Sequence, residues 1–285
     1  MNIIVCVKQV PDTNEVRIDK KTNNLMREGV PGILNPYDQN SVEMALGIRE
    51  KTGGKVTVVS MGPRQTEEAI QYCLDMGADE GILLSDRAAA GSDTLATGYI
   101  LSGLVSSMQY DLVMCGNEAI DGCTGQVGPI IAGNLGLKQF TCVTDLEVKD
   151  GKALIQRTVG KNLEFYEAEF PMVVCVRKDI NQPRKAVPSG RTVRVMDAGS
   201  LGLDMERIGN HGSPTKVVEI RMSDARVKSY FTVDDTLPWE ERIRFIINGG
   251  IEKKEKVELW RGEPQELSRR IAGCAEVSRF IENVR

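Results

Sequence analysis

Short, fully apolar runs recur along the first two thirds of this chain, with helical stretches between them. The runs are Ile3–Val7, Val56–Ser60, Gly81–Leu84, Leu112–Cys115 and Met172–Val176. The helical stretches cover Gln39–Lys51, Arg64–Met76, Asp93–Met108 and Gln126–Leu135. In the second of these, Ala69, Ile70, Cys73 and Leu74 place apolar side chains on one helical face. Strands apolar on both faces belong in a parallel sheet covered on both sides, and alternation with helices builds such a sheet through right-handed crossovers. The expected fold class is α/β, a doubly wound, Rossmann-like parallel sheet that takes ligands at the carboxyl ends of its strands. The turns after Val7, Ser60 and Cys115 all fall at that end. The middle of the chain changes character. Thr141–Val148, Ala153–Val159 and Leu163–Ala168 read as an antiparallel addition, with Asp150-Gly151 as a hairpin turn.

The stretch from Cys115 to Pro129 joins a predicted strand to a predicted helix and carries Gly116, Gly122, Gly125 and Gly128. Glycines let the backbone take positive φ and approach a ligand closely. The helix start beyond them presents free N–H donors, which suits a phosphate or pyrophosphate. Thr124 and Gln126 are placed to bond the ester oxygens. A glycine-rich turn alone is a weak motif. The order Asp121-Gly-Cys-Thr-Gly-Gln-Val-Gly-Pro129 is more specific.

That order resembles the nucleotide-binding signature of the electron-transfer flavoprotein β subunit. Five further segments resemble family motifs in the family's order: Val5-Cys-Val-Lys-Gln-Val-Pro-Asp12, Asn35-Pro-Tyr-Asp38, Ser60-Met-Gly-Pro63, Met76-Gly-Ala-Asp79 and Asn181-Gln-Pro-Arg184. The resemblance implies an α partner holding one FAD and an adenine nucleotide on this chain, either a structural AMP or a second FAD. AMP-binding members carry Asp-Asp-x-Asn-Gln-Thr-Gly-Gln in the loop. Here Gly122-Cys-Thr-Gly-Gln-Val-Gly-Pro129 stands instead, similar to the electron-bifurcating, Fix-type members. The implied function is oxidation of NADH at a β-bound FAD. Electrons would pass to ferredoxin or flavodoxin and, through the α-subunit FAD, to an acyl-CoA dehydrogenase-like or quinone-linked oxidoreductase. A non-bifurcating carrier with AMP stays open, and so does an adenine-nucleotide-sensing regulatory protein. The implied cofactor-binding residues are Cys6, Val7, Lys8, Asn35, Pro36, Tyr37, Asp38, Met61, Gly62, Gly116 and 121–129, namely Asp121, Gly122, Cys123, Thr124, Gly125, Gln126, Val127, Gly128 and Pro129.

Several of these positions have a plainer reading beside the functional one. Asp121 is either a turn or cap residue or, if it lines the site, a partner for a ribose hydroxyl, since a pyrophosphate would repel it. Asn35 is either a turn residue before Pro36 or a partner to adenine or ribose. Met61 and Cys6 offer soft contact to a flat ring or sit in the core at strand ends. Cys123 lies where a helix start lowers a thiol pKa, though a small residue facing ligand or core reads as well. His211, the single histidine, stands in the turn composition Gly209-Asn-His-Gly212 and reads as structural. No nucleophile–base pair stands out, so the hard chemistry is assigned to a bound cofactor, and no catalytic residue or metal ligand is expected.

Arg177 to Arg191 is proline-containing and basic, without a buried period. Composition alone reads it as a solvated linker, whereas the family places its partner-recognition loop here. The arm residues are Pro183, Arg184, Val187 and Pro188. The expected division is a nucleotide-binding domain over 1–180, the arm over 181–200 and a C-terminal extension over 201–285. A helix from Pro264 to about Ile281 would close the extension, with Leu267, Ile271, Cys274, Val277 and Ile281 as its packing stripe on this chain or a partner subunit. Residues 225–256 look longer than the usual family pattern.

With 36 Lys+Arg against 40 Asp+Glu in 285 residues, no nucleic-acid partner or anionic membrane surface is expected. No apolar run reaches the roughly 18 residues of a span. Seven scattered cysteines without a Cys-x-x-Cys pair argue against zinc and iron–sulfur sites. With no signal region at Met1, they lead to the expectation of a reducing cytoplasm.

Overall fold

The computed structural model describes residues 1–12, 17–18, 25–26, 32–216, 218, 236–247 and 263–272. They fall into two units, Met1–Met222 and Ser223–Arg285. In the first unit the strands are β1 (Asn2–Cys6), β2 (Gln9–Pro11), β3 (Arg17–Ile18), β4 (Leu25–Met26), β5 (Gly32–Leu34), β6 (Lys55–Met61), β7 (Glu80–Leu84), β8 (Leu112–Gly116), β9 (Lys138–Lys149), β10 (Lys152–Val159), β11 (Asn162–Glu169), β12 (Met172–Val176) and β13 (Val193–Met196). The helices are α1 (Pro36–Thr52), α2 (Glu67–Met76), α3 (Thr94–Ser106), α4 (Val127–Leu135) and the one-turn α5 (Gly209–Gly212).

Local chemistry sets the helix ends. Pro36 occupies the first turn of α1, where a missing N–H costs nothing. The Asp93 carboxylate caps α3 by accepting the N–H groups of Leu95 and Ala96, each at 3.0 Å. Gly136 ends α4 in the left-handed conformation at φ +65°.

Nine strands form one sheet in the order β11-β10-β9-β12-β8-β1-β6-β7-β13. From β9 to β13 the neighbours run parallel, and β10 and β11 add antiparallel. Side chains alternate across β1, so Ile3 and Val5 join the core with α1 and α2, while Ile4 and Cys6 join a second core facing α3 and α4. A fully buried Leu46 or Ile70 on the first face contributes about 1.5–3 kcal/mol by leaving water. This is the doubly wound sheet expected from the apolar runs.

The antiparallel hairpin is an extension of the same sheet. β9 pairs parallel with β12, and Val143, Leu146, Ala153 and Ile155 join the α1-side core. Asp150 and Gly151 both take positive φ, +51° and +76°, as the tight turn requires.

Two differences concern residues 181–200. Val193–Met196 form a strand paired with β7, so the sheet continues past residue 180. The preceding segment is held along α1 and α2. Arg184 reaches both oxygens of Glu43 at 2.8 and 3.0 Å and Glu50 at 2.6 Å. Asn181 and Asn40 exchange amide bonds, and the Val187 and Ser189 N–H groups donate to the Asp75 carbonyl and carboxylate. Charge and amide pairs fix this strap in place of an apolar stripe, and Val187 points outward, 68% exposed.

In the second unit, α6 (Trp239–Ile247) and α7 (Pro264–Ala272) are described. Helix α7 carries Leu267 and Ile271, while Cys274, Val277 and Ile281 of the expected stripe, and most of residues 225–256, lie outside the described residues. No described helix is long and apolar enough to cross a membrane.

Candidate functional site

The sheet reverses direction at β1. The chain runs from β1 out to β6 and β7 on one side, then returns to place β8 on the other. The crevice beyond the carboxyl ends of β1 and β8 is therefore the topological switch point, where open α/β sheets take their ligands. Lys8 lies just beyond β1, Gly116 ends β8, and Asn35 to Asp38 start α1 against both.

Asp38 fills the base of that crevice. Its carboxylate accepts the Lys8 N–H at 2.7 Å and the Gly116 N–H at 3.1 Å. Burial pushes its pKa up to about 7, although the hydrogen bonds from Asn35, Lys8 and Gly116 act in the opposite direction. Asn35 spends its side chain on the loop above: its amide donates to the Glu118 carbonyl at 2.9 Å and its oxygen accepts the Ile120 N–H at 3.2 Å. The Tyr37 hydroxyl donates to Glu118 at 3.0 Å, and that bond is the main cause of its raised pKa. Asp121 forms a two-oxygen ion pair with the Lys8 ammonium at 2.7 Å. Val7 and Met61 close the row, because the Ser60 hydroxyl donates to the Val7 carbonyl at 2.7 Å. Gly62 follows, with Thr66 Oγ1 only 2.5 Å from where a Cβ would stand.

The glycine loop is open above this base. A Cβ at Gly122 would meet nothing within 4 Å, and Gly125 sits at φ +61°. Cys123 is exposed at φ +49°, in the left-handed region that favours glycine. Gln126 precedes α4 and accepts a hydrogen bond from Thr94 at 2.7 Å. Gly128 seats the helix on the sheet, since a Cβ there would come within 2.3 Å of the Cys175 sulfur. The first turn of α4 thus follows the loop with the N–H groups of Val127 and Gly128 as its helix-start donors, Pro129 having none.

The structure brings the sequence-selected residues to one edge but divides their work. Asn35, Asp38 and Asp121 all bond protein groups: Asn35 holds Glu118 and Ile120 of the loop, Asp38 holds Lys8 and Gly116, and Asp121 pairs with the Lys8 ammonium. Cys6 is buried in register with Cys115, which pairs with Cys175. The Cys175 thiol is raised well above its ordinary value by its bond with Cys115 and by burial. His211 is exposed beside Glu206. Among the described residues, no group of His, Cys, Asp and Glu could hold a metal ion.

Sequence reasoning gave no site role to Thr94, Asn117, Glu118 or Arg177. Asn117 donates its N–H to the Val176 carbonyl and accepts the Cys142 N–H, both at 2.8 Å, which ties the loop to β12 and β9. A cavity of about 460 Å³ opens beside it, lined by Tyr37, Glu118 and Arg177 among others. Asn117 and Glu118 stand inside the glycine-rich stretch, and that position was the available signal.

Residues 22–199 match the electron transfer flavoprotein domain, more than half of the chain. The chain belongs to the electron transfer flavoprotein family. The electron transfer flavoprotein subunit beta of Thermoanaerobacterium thermosaccharolyticum is 49% identical over 225 residues, 76% of this chain and 86% of that protein. The caffeyl-CoA reductase-Etf complex subunit CarD of Acetobacterium woodii is 44% identical over 225 residues, again 76% and 86%. Protein FixA of Azotobacter vinelandii is 39% identical over 242 residues, 80% of this chain and 86% of that protein. The family is flavin-associated, and several of this chain's relatives are named as its subunit beta.

Proposed function

We propose that this chain is the β subunit of a heterodimeric electron transfer flavoprotein that holds an FAD of its own at the switch-point crevice and oxidises NADH there. The observation that carries the reading is the glycine loop: Gly122 leaves its crest open, Gly125 turns in the left-handed region, and α4 begins directly beyond. Backbone N–H groups of Gly125 to Gly128, with the Thr124 hydroxyl and the Gln126 amide, would hold a diphosphate. Lys8, Met61 and Gly62 would line the flat ring. A bound flavin would supply the hydride chemistry and the division of electrons.

This chain's part is to bind, orient and exclude water. NADH would stack beside the Gln9-Val-Pro-Asp12 turn, because hydride transfer needs contact of roughly 3–3.5 Å. Electrons would leave for ferredoxin or flavodoxin and, through an FAD of the α subunit, for a flavin dehydrogenase of acyl-CoA or quinone-linked type. The kinship with a subunit of a reductase–Etf complex supports a dehydrogenase partner. The strap that presents Val187 is the proposed contact for it. Absence of a membrane-spanning helix among the described residues and a mild net charge of −4 accord with a cytoplasmic setting.

Anaerobic mixing of the heterodimer with NADH tests the reading. Two-electron bleaching of flavin absorbance within the turnover time is expected. A preparation that carries flavin on this subunit yet shows no bleaching contradicts it.

A further inference from the structure

Asp38 is the one carboxylate among the described residues that is buried, at 5% exposure. Its position is the more unusual because it lies at the base of a proposed anion site. Three observations meet there. One oxygen accepts the Lys8 N–H and the other the Gly116 N–H, so a single carboxylate spans the crevice between β1 and β8. Gly116 is fitted to it: a Cβ would stand 2.3 Å from Asp38 Oδ1 and 2.6 Å from the Tyr37 Cβ. The two residues it holds also govern the loop, since Gly116 leads into it and the Lys8 ammonium grips Asp121 within it.

We propose that Asp38 is a positioning residue of the nucleotide site: its ionised carboxylate, without touching the ligand, holds Lys8 and Gly116 in the arrangement that lets the glycine loop take a diphosphate. This rests on the reading of the crevice as a nucleotide site. Protonation would turn one carboxyl oxygen into an O–H donor facing an N–H donor, and one of the two bonds would be lost. Burial sets that event near pH 7. The titratable groups around the carboxyl are the Lys8 ammonium beyond β1 and the thiols of Cys73 on α2, Cys115 on β8 and Cys175 on β12. All three thiols are raised above their ordinary value and stay neutral.

The sign of the linkage separates this role from a merely structural one. The folded-state pKa of about 7 exceeds the reference value of 3.8, so the folded chain binds the extra proton between them. On account of Asp38, fold stability falls as pH rises through that window. Nucleotide affinity should move the other way, strengthening as the carboxylate ionises.

The test uses the intact heterodimer with the α-subunit FAD retained and this chain's site emptied, with FAD as the probe for that site. The pyrophosphate diester of FAD keeps a fixed charge across this range. Affinity and melting temperature are measured from pH about 5.5 to about 8.5. FAD affinity is expected to weaken roughly tenfold on acidification, the loss of about one hydrogen bond, with a midpoint near 7. Melting temperature should rise over the same range. An Asp38→Asn variant should bind weakly at every pH. The wild-type profile stands on its own if that variant fails to fold. A flat profile, an affinity that strengthens on acidification, or wild-type binding by Asp38→Asn overturns the proposal alone. Absence of FAD binding at every pH overturns the nucleotide-site reading and this proposal with it.

Discussion

At Gly125 the backbone sits at φ +61°, and a Cβ there would approach the Asn117 carbonyl to 3.3 Å. A β-branched side chain is strained in that region by about 1–3 kcal/mol. A Gly125→Val heterodimer should therefore lose most of its bound nucleotide on gel filtration while keeping its far-UV signal. Full nucleotide content in that variant would remove the loop as the phosphate site. Gly122 offers a contrast, because a Cβ there meets open space. The residue scale is also where sequence reading reached least far. Asn35 and Asp38 belong to a recognisable motif, but their partners are backbone groups 30 to 85 positions away. Only the folded chain shows that Asn35 bonds Glu118 and Ile120 of the loop and that Asp38 bonds Lys8 and Gly116.

Elements were more legible than contacts. β1, β6, β7, β8 and β12 announced themselves because strands buried on both faces are predominantly apolar. β13 did not, because an edge strand of four residues with Arg194 exposed in it carries no such run. Composition alone gives no sign that the strap is held over α1 and α2, for a related reason. Its anchors are the pairs of Arg184 with Glu43 and Asn181 with Asn40, each 141 positions apart, which leave no periodic trace. The strap predicts a division of labour between two of its residues. Arg184→Ala should cost about 1 kcal/mol of stability, as expected for a partly exposed ion-pair network, and be visible as a lower melting temperature. Val187→Asp should leave melting temperature and flavin unchanged but slow electron transfer to the dehydrogenase, in the manner of a small interface hot spot. Unchanged transfer rates in Val187→Asp would take the strap out of the docking account.

For the whole molecule, the sheet's reversal at β1 and β8 concentrates the sequence-selected residues at one crevice. Motifs more than a hundred positions apart, around Lys8 and Asp121, become neighbours there. The glycine loop, the Asn35–Asp38 helix start and the Ser60–Gly62 turn lie at that same edge of the sheet. The most direct test of the central claim is to purify the chain with its α partner, release the nucleotides by denaturation and count them. The account predicts two FAD per heterodimer. One FAD with one AMP would contradict it and leave a plain electron carrier, and no flavin at all would contradict the electron-transfer assignment itself.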